Sequence, residues 1–403
     1  MINNGWFFNM YVNYISYKLI AILGGAAFLL IPFSPILSFS ISIFTLLTMS
    51  NYLFGYMRQS LIILAMISIV IIIASREYTD EIEHDLSHYY IVYKALASGQ
   101  LNELFGFAAG VEIGWPLLYL MVSKFNGNLS PITLAIINTS VCLFLLYVWI
   151  NKHAFHNEYL NNSGVIAALI ILFASVQTFG YLQRQAISTV ILLFSISNTG
   201  KKSLVYLLLA TLFHLTSLPL GILYLTLRKW HSRIKLHHML MIFGILIFIK
   251  LNLFVILNYL SVVGTGIPGV NKLNYYLLYA SEFSFTSKRF AILIFPLALA
   301  MILFWNKIPN DNWKLISIFS CLSYIVFLGI PLGPERLNFL LLFLYGYFVY
   351  LYLYKVLPNV TKYFILVYLF MFALEKMNFF GNYADPFWSR YPAFSFEPFY
   401  YLY

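Results

Sequence analysis

Eleven apolar runs divide this chain, at residues 19-33, 36-56, 60-75, 131-151, 163-180, 186-199, 237-260, 290-305, 314-331, 337-354 and 361-380. A hydrocarbon layer about 30 Å thick takes roughly 17 to 25 apolar residues per helix, and backbone that leaves its own N–H and C=O groups unsatisfied does not survive in it. The runs predict an all-α polytopic integral membrane protein: a single transmembrane domain over 1-403 with eleven crossings, a re-entrant hairpin and short periplasmic helices. Composition closes the other routes. Only 9% of the residues are charged and 61% are hydrophobic, whereas a soluble domain carries roughly 25% charged residues. Disorder is excluded on the same ground. Cys142 and Cys321, each inside an apolar run, exclude a disulfide scaffold or a cysteine-rich metal site. The first run is followed at once by another rather than by a cleavage site, so no cleavable signal peptide is expected. No repeat of the inverted-repeat transporter kind is visible.

Two apolar segments do not read as simple crossings. Residues 105-124 carry Glu112, Gly110, Gly114 and Pro116, which predicts an interfacial or partly inserted helix. Residues 203-227 contain His214 and Pro219 and are too short for two crossings. Cytoplasmic loops of membrane proteins are enriched in Lys and Arg, and this decides between the two topologies. With a re-entrant hairpin at 203-227 and a cytoplasmic N-terminus, the inside holds thirteen basic residues against two acidic ones, and the outside ten against twelve. One long span would move Arg228, Lys229, Arg233 and Lys235 outside. The net charge of +10 is therefore an orientation signal, and nucleic acid is not implied. The external segments are then 76-130, 261-289 and 381-403.

Ionisable groups at or within spans are expensive in lipid and mark candidate sites. On the outer side this topology gathers Arg184 in Tyr181-Leu-Gln-Arg-Gln185, Arg289 opening the 290-305 run, and Glu335-Arg336 opening the next. His214 falls at the hairpin tip, and Asp85 and Glu112 face the same compartment. A lone Arg at a helix end is usually an anchor that snorkels to the interface. Three where positive charge is normally depleted suggest an anionic ligand, because the planar guanidinium binds phosphate oxygens two at a time. Lys250 is expected to snorkel or pair. His84 and His88 share the spacing of a helical metal pair, but a solvated acidic loop is the simpler reading and no metal is assigned. Aromatic residues in the outer segments, among them Tyr89, Tyr93, Trp115, Tyr275 and Trp388, could stack on sugar rings.

These residues resemble the EpsG/Wzy group of bacterial polysaccharide polymerases, which includes O-antigen polymerases. The likeness is carried by Asp85 with Tyr89 and Tyr93, by Glu112-Ile-Gly-Trp115, by Arg184-Gln185-Ala186-Ile187 at the head of a run, by His214, by Glu335-Arg336 and by Tyr391-Pro392. Arg-Gln followed by a His about thirty residues on is its most specific element. The small hydroxyl usual two residues after the His is Thr216 here, beside Ser217. The resemblance implies a glycosyltransferase of surface polysaccharide or lipopolysaccharide synthesis in the bacterial inner membrane, acting at its periplasmic face. A growing glycan would leave its undecaprenyl pyrophosphate carrier and join a new carrier-linked repeat unit. Both lipid-linked oligosaccharides are then partners, with the bilayer and a chain-length regulator. Arg184, Arg289 and Arg336 would take the pyrophosphate; His214, Glu112 or Asp85 would accept or orient the acceptor's proton; Gln185 and Glu335 would orient their neighbours. A pyrophosphate stabilised by arginines needs no divalent ion, so no cofactor is expected. Glu83-x-Asp85 keeps a metal-assisted transfer as a minor alternative.

Three other functions compete. A lipid-linked oligosaccharide flippase would line a cavity through the membrane with charge and show pseudo-symmetric halves. A membrane O-acyltransferase would draw on the inner histidines His153, His156, His231, His237 and His238. An O-antigen ligase would carry a large late periplasmic loop, where this chain has only about Ile330 to Glu335.

Overall fold

The structure is a computed structural model that describes residues 4–75, 85–155, 162–252, 255, 259, 280–306, 313–328, 330, 334, 337–354, 359–376 and 394–402. Among these residues the regular structure is entirely helical. The long N-terminal helix α1 (Asn4–Leu30) is followed by α2 (Pro35–Thr48) and α3 (Gly55–Ala74). Two short helices, α4 (Asp85–Ala97) and α5 (Gly114–Phe125), precede α6 (Pro131–Trp149). Then come α7 (Ser163–Ala174), α8 (Val176–Tyr181), α9 (Gln183–Ser197), α10 (Gly200–Phe213), α11 (Ser217–Trp230) and α12 (Leu236–Leu251). The last four are α13 (Ala280–Leu303), α14 (Lys314–Val326), α15 (Phe339–Val349) and α16 (Asn359–Lys376).

Local sequence sets several of these starts. Pro35 and Pro131 occupy first-turn positions where no intrahelical N–H is needed. Ser34 and Ser130 cap them, accepting from the N–H groups of Leu37 and Thr133 at 3.1 Å each. At the centre stands α7, buried along its whole length. It runs antiparallel to α15: Phe179 meets Phe343, and Phe173 meets Tyr345 at 4.6 Å between ring centroids. A Cβ at Gly346 would strike the Leu169 carbonyl, so the backbones of these two helices touch. The outside of the bundle is also apolar, with Phe28, Phe144, Leu208, Phe248, Leu251 and Phe364 exposed.

The 203-227 segment does turn back on itself. Ser195 of α9 bonds Ser203, and Ser188 donates to the Ala210 carbonyl, so α10 runs antiparallel to α9. Ser188 also meets Ser217 at 2.5 Å, and Arg228 reaches the Ile196 and Asn198 carbonyls, so α11 runs parallel to α9. The limbs are 14 residues each, about 21 Å at 1.5 Å per residue, and the tip is His214 to Thr216.

Other expectations need correction. The 163-180 run is two helices, broken at Ser175, whose φ of 55° ends α7 and whose hydroxyl caps α8. The 36-56 run stops at Thr48, and Gly55 already begins the next helix. Residues 105-124 form short turns of 3-10 helix before the 12-residue α5. Among the described residues two helical stretches, Gly55–Ala74 and Pro131–Ala154, are each long and apolar enough to cross a membrane; several others are shorter apolar helices. Apolar run length predicts where helix can form, but hydroxyl caps and backbone breaks inside a run decide where it ends.

Candidate functional site

The site forms where the heads of α5, α9 and α11 converge. Glu112 lies two residues before α5, Arg184 is in the first turn of α9, and His214 with Leu215 links α10 to α11. One carboxylate joins them. Glu112 Oε2 accepts from Arg184 Nη1 at 2.9 Å; Oε1 accepts from the Leu215 N–H at 2.9 Å and meets His214 Nδ1 at 2.8 Å. Glycine makes this approach possible: a Cβ at Gly114 would stand 2.9 Å from the Phe213 ring and 3.0 Å from the Leu212 carbonyl. With any larger residue there, α5 would be held away from the hairpin tip.

The chemistry of the cluster follows from its donors. Burial alone would raise the Glu112 carboxyl's pKa, but the His214 hydrogen bond and charge, the Leu215 N–H and Arg184 together hold it below the ordinary carboxylate value. Glu112 is thus an anion and can only accept, so the proton between it and His214 sits on Nδ1. Nε2 is then a lone-pair acceptor in the neutral ring and an N–H donor in the cation. A carboxylate engaged on both oxygens by three donors is a weak base for as long as they hold it.

Aromatic rings surround the guanidinium. Arg184 lies 4.4 Å from the Phe107 ring centroid and donates through Nε to the Tyr89 hydroxyl at 3.3 Å. Tyr89 stacks on Trp115, which packs edge-on against Phe213. Behind them Asn138 donates to the Tyr119 hydroxyl at 2.9 Å and to Gln183 Oε1 at 2.8 Å, tying α5, α6 and the head of α9 together. Neither Asn138 nor Gln183 was singled out from the sequence, although an Asn within the 131-151 run is the kind of signal that marks a buried polar junction.

Of the sequence candidates, Glu112, Arg184 and His214 meet, and Gln185 is buried beside Arg184 in the first turn of α9. Asp85 is the first residue of α4, one helical turn before Tyr89. Arg289 does not open a helix: it lies inside α13, one turn before Leu293, whose carbonyl accepts from the Tyr345 hydroxyl. Glu335 and Arg336 lie outside the described residues, as do His84 and Tyr391. The helix that follows Arg336, α15, begins at the Arg184 end, because Phe343 packs on Phe179. Lys250 donates to the Leu328 carbonyl at 3.0 Å, the pairing expected of it. Among the described residues no group of three or more His, Cys, Asp and Glu could hold a metal ion.

A sequence model of the EpsG family matches residues 61–391, a stretch that contains every residue of this cluster. Comparison with the curated proteins gives no match, and comparison with the solved structures gives none either.

Proposed function

The chain belongs to the EpsG family, whose members are membrane proteins of polysaccharide synthesis, and we propose that it is a repeat-unit polymerase of the bacterial cytoplasmic membrane. The N-terminus is cytoplasmic and the Glu112 cluster faces the periplasm. The apolar outer surface of the bundle faces lipid, and the hairpin of α10 and α11, which turns back at His214 to Thr216, is re-entrant. The substrates are two undecaprenyl-pyrophosphate-linked glycans, one donor and one acceptor.

In the transfer, the acceptor sugar's hydroxyl oxygen bonds to the donor's anomeric carbon. The anomeric C–O bond breaks, and its electron pair leaves with the pyrophosphate. Charge develops on that leaving group, and Arg184 neutralises it, with Arg289 and Arg336 as further candidates for the same role. The hydroxyl's proton passes to Glu112 or His214. The observation that supports this reading most is the shared carboxylate: one buried acid holds a guanidinium and an imidazole together, both more open than the acid itself.

Deletion in the parent strain followed by sizing of the surface glycan is the test. Glycans of a single repeat unit are expected. Their complete loss would favour a flippase, and full-length glycans lacking acetyl groups an acyltransferase. Arg289→Ala and Arg336→Ala are expected to insert normally yet yield single units; normal long polymer from both would remove those two residues from the site.

A further inference from the structure

The donors around Glu112 are an arginine, an imidazole and a main-chain N–H two residues ahead of a 14-residue helix. A guanidinium and N–H groups at a helix head are what bind a phosphate group. Here a carboxylate from another segment, the turn 106-113, fills their midst. The donors are more open than the anion they hold: the side chains of Arg184 and His214 are 19% and 17% exposed, and that of Glu112 is 5%. An anion arriving from outside meets the donors first. The turn that carries Glu112 is also under strain, since Ala108 has a φ of 47°, a left-handed backbone that a residue with a Cβ adopts at a cost. Contacts of Phe107 and Glu112 with Arg184 help to keep the turn there.

We infer that Glu112 is an internal stand-in for the substrate's diphosphate: incoming phosphate oxygens take over Arg184, His214 and the Leu215 N–H, and the carboxylate is released. This rests on the reading above, in which Arg184 receives the pyrophosphate. Release changes what the carboxylate can do. While held, its donors keep its affinity for a proton low; once they turn to phosphate, those hydrogen bonds and charges no longer lower it. The freed carboxylate then takes the acceptor hydroxyl's proton as that oxygen bonds to the anomeric carbon and pyrophosphate departs with the electron pair. Donor binding arms the base, and without a donor no hydroxyl or water is activated.

Calorimetric titration of inorganic pyrophosphate into the full-length protein in nanodiscs tests the idea by its sign. Glu112→Gln removes the competing charge at constant shape, so binding tightens by about tenfold or more, the equivalent of one charge-assisted hydrogen bond, while elongation is lost. Glu112→Asp keeps the charge but shortens its reach by one methylene, and tightens binding by less. Unchanged or weaker binding in either variant, or wild-type elongation by Glu112→Gln, overturns the inference. The underlying reading fails separately: wild type would not bind pyrophosphate at all, or would bind it equally well after Arg184→Ala.

Discussion

Arginines stand at helix ends at both extremes of the bundle, and the groups they hold differ. At the Gly200 end, Arg228 of α11 donates to the last carbonyls of α9, and Arg58 of α3 donates to the Ser163 hydroxyl while lying over the Phe155 ring. Lys314 at the head of α14 donates to the Trp305 carbonyl at 2.6 Å. These acceptors are neutral oxygens. A cation set on the last carbonyls of a helix also meets the negative end of its dipole, which is a structural arrangement. At the opposite end Arg184 meets a buried carboxylate, which it shares with an imidazole. Burying charge costs more than it returns unless the pairing is well hydrogen-bonded, and replacing such a pair with apolar side chains is often neutral or stabilising. One residue type thus has two settings: at one end it ties helices together through neutral oxygens, and at the other it is paired with a buried carboxylate.

The comparison can be broken most sharply at Arg184. Arg184→Ala should lower elongation by about 10²- to 10³-fold, the scale of one lost charge-stabilising donor, with the protein still inserted; glycan sizing and immunoblotting together read it out. Arg228→Ala should do the reverse. Elongation per folded molecule stays, while stability falls by about 1 to 3 kcal/mol for the loss of hydrogen bonds to a charged donor, seen as a lower melting temperature in detergent. Gly114→Ala tests the junction itself. Its methyl group meets the Phe213 ring and the Leu212 carbonyl, so it should destabilise by about 1 to 3 kcal/mol, as overpacking does, and reduce elongation partially by pushing Glu112 off the hairpin tip.

A smaller effect separates the ends by pH. The Glu112 carboxyl is held below its ordinary pKa in the fold. Such a group adds stability above its unfolded pKa and loses it as pH falls through the folded value. The wild type should therefore melt above Glu112→Gln at neutral pH, and the gap should close as the pH drops below the ordinary carboxylate range. Thermal melts of both proteins across acid pH check this. Smallest of all, the exposed Lys202 at the Gly200 end should tolerate Lys202→Ala within about 0.5 kcal/mol, with unchanged glycan length.

Much of the site could be read from residue types alone. Glu112, Arg184 and His214 stood out because an ionisable group in an apolar setting needs a reason to be there. The turn-back at 203-227 was legible from its length and from the charge that follows it. What escaped were the groups whose meaning is positional. Leu215 contributes only its N–H, which every residue but proline has. Asn138 and Gln183 matter because α5, α6 and α9 cross where they stand. Arg289 reads as a helix mouth in the sequence, because the apolar run begins just after it. Helix α13 instead begins nine residues earlier, at Ala280, through a segment of Ser, Phe, Glu and Thr that apolarity alone does not mark as helical.

The sequence by itself determined the solvent and the handful of polar residues that must be accommodated. Those follow from transfer free energies, which depend on composition and run length alone. Only the tertiary structure decided which of the polar residues meet. Glu112 is 72 residues from Arg184 and 102 from His214. Their contact depends on a break in one helix, a glycine at the head of another and a hairpin turned back between them. A hydrogen bond at 2.8 or 2.9 Å is a property of that packing, which residue identity does not encode on its own.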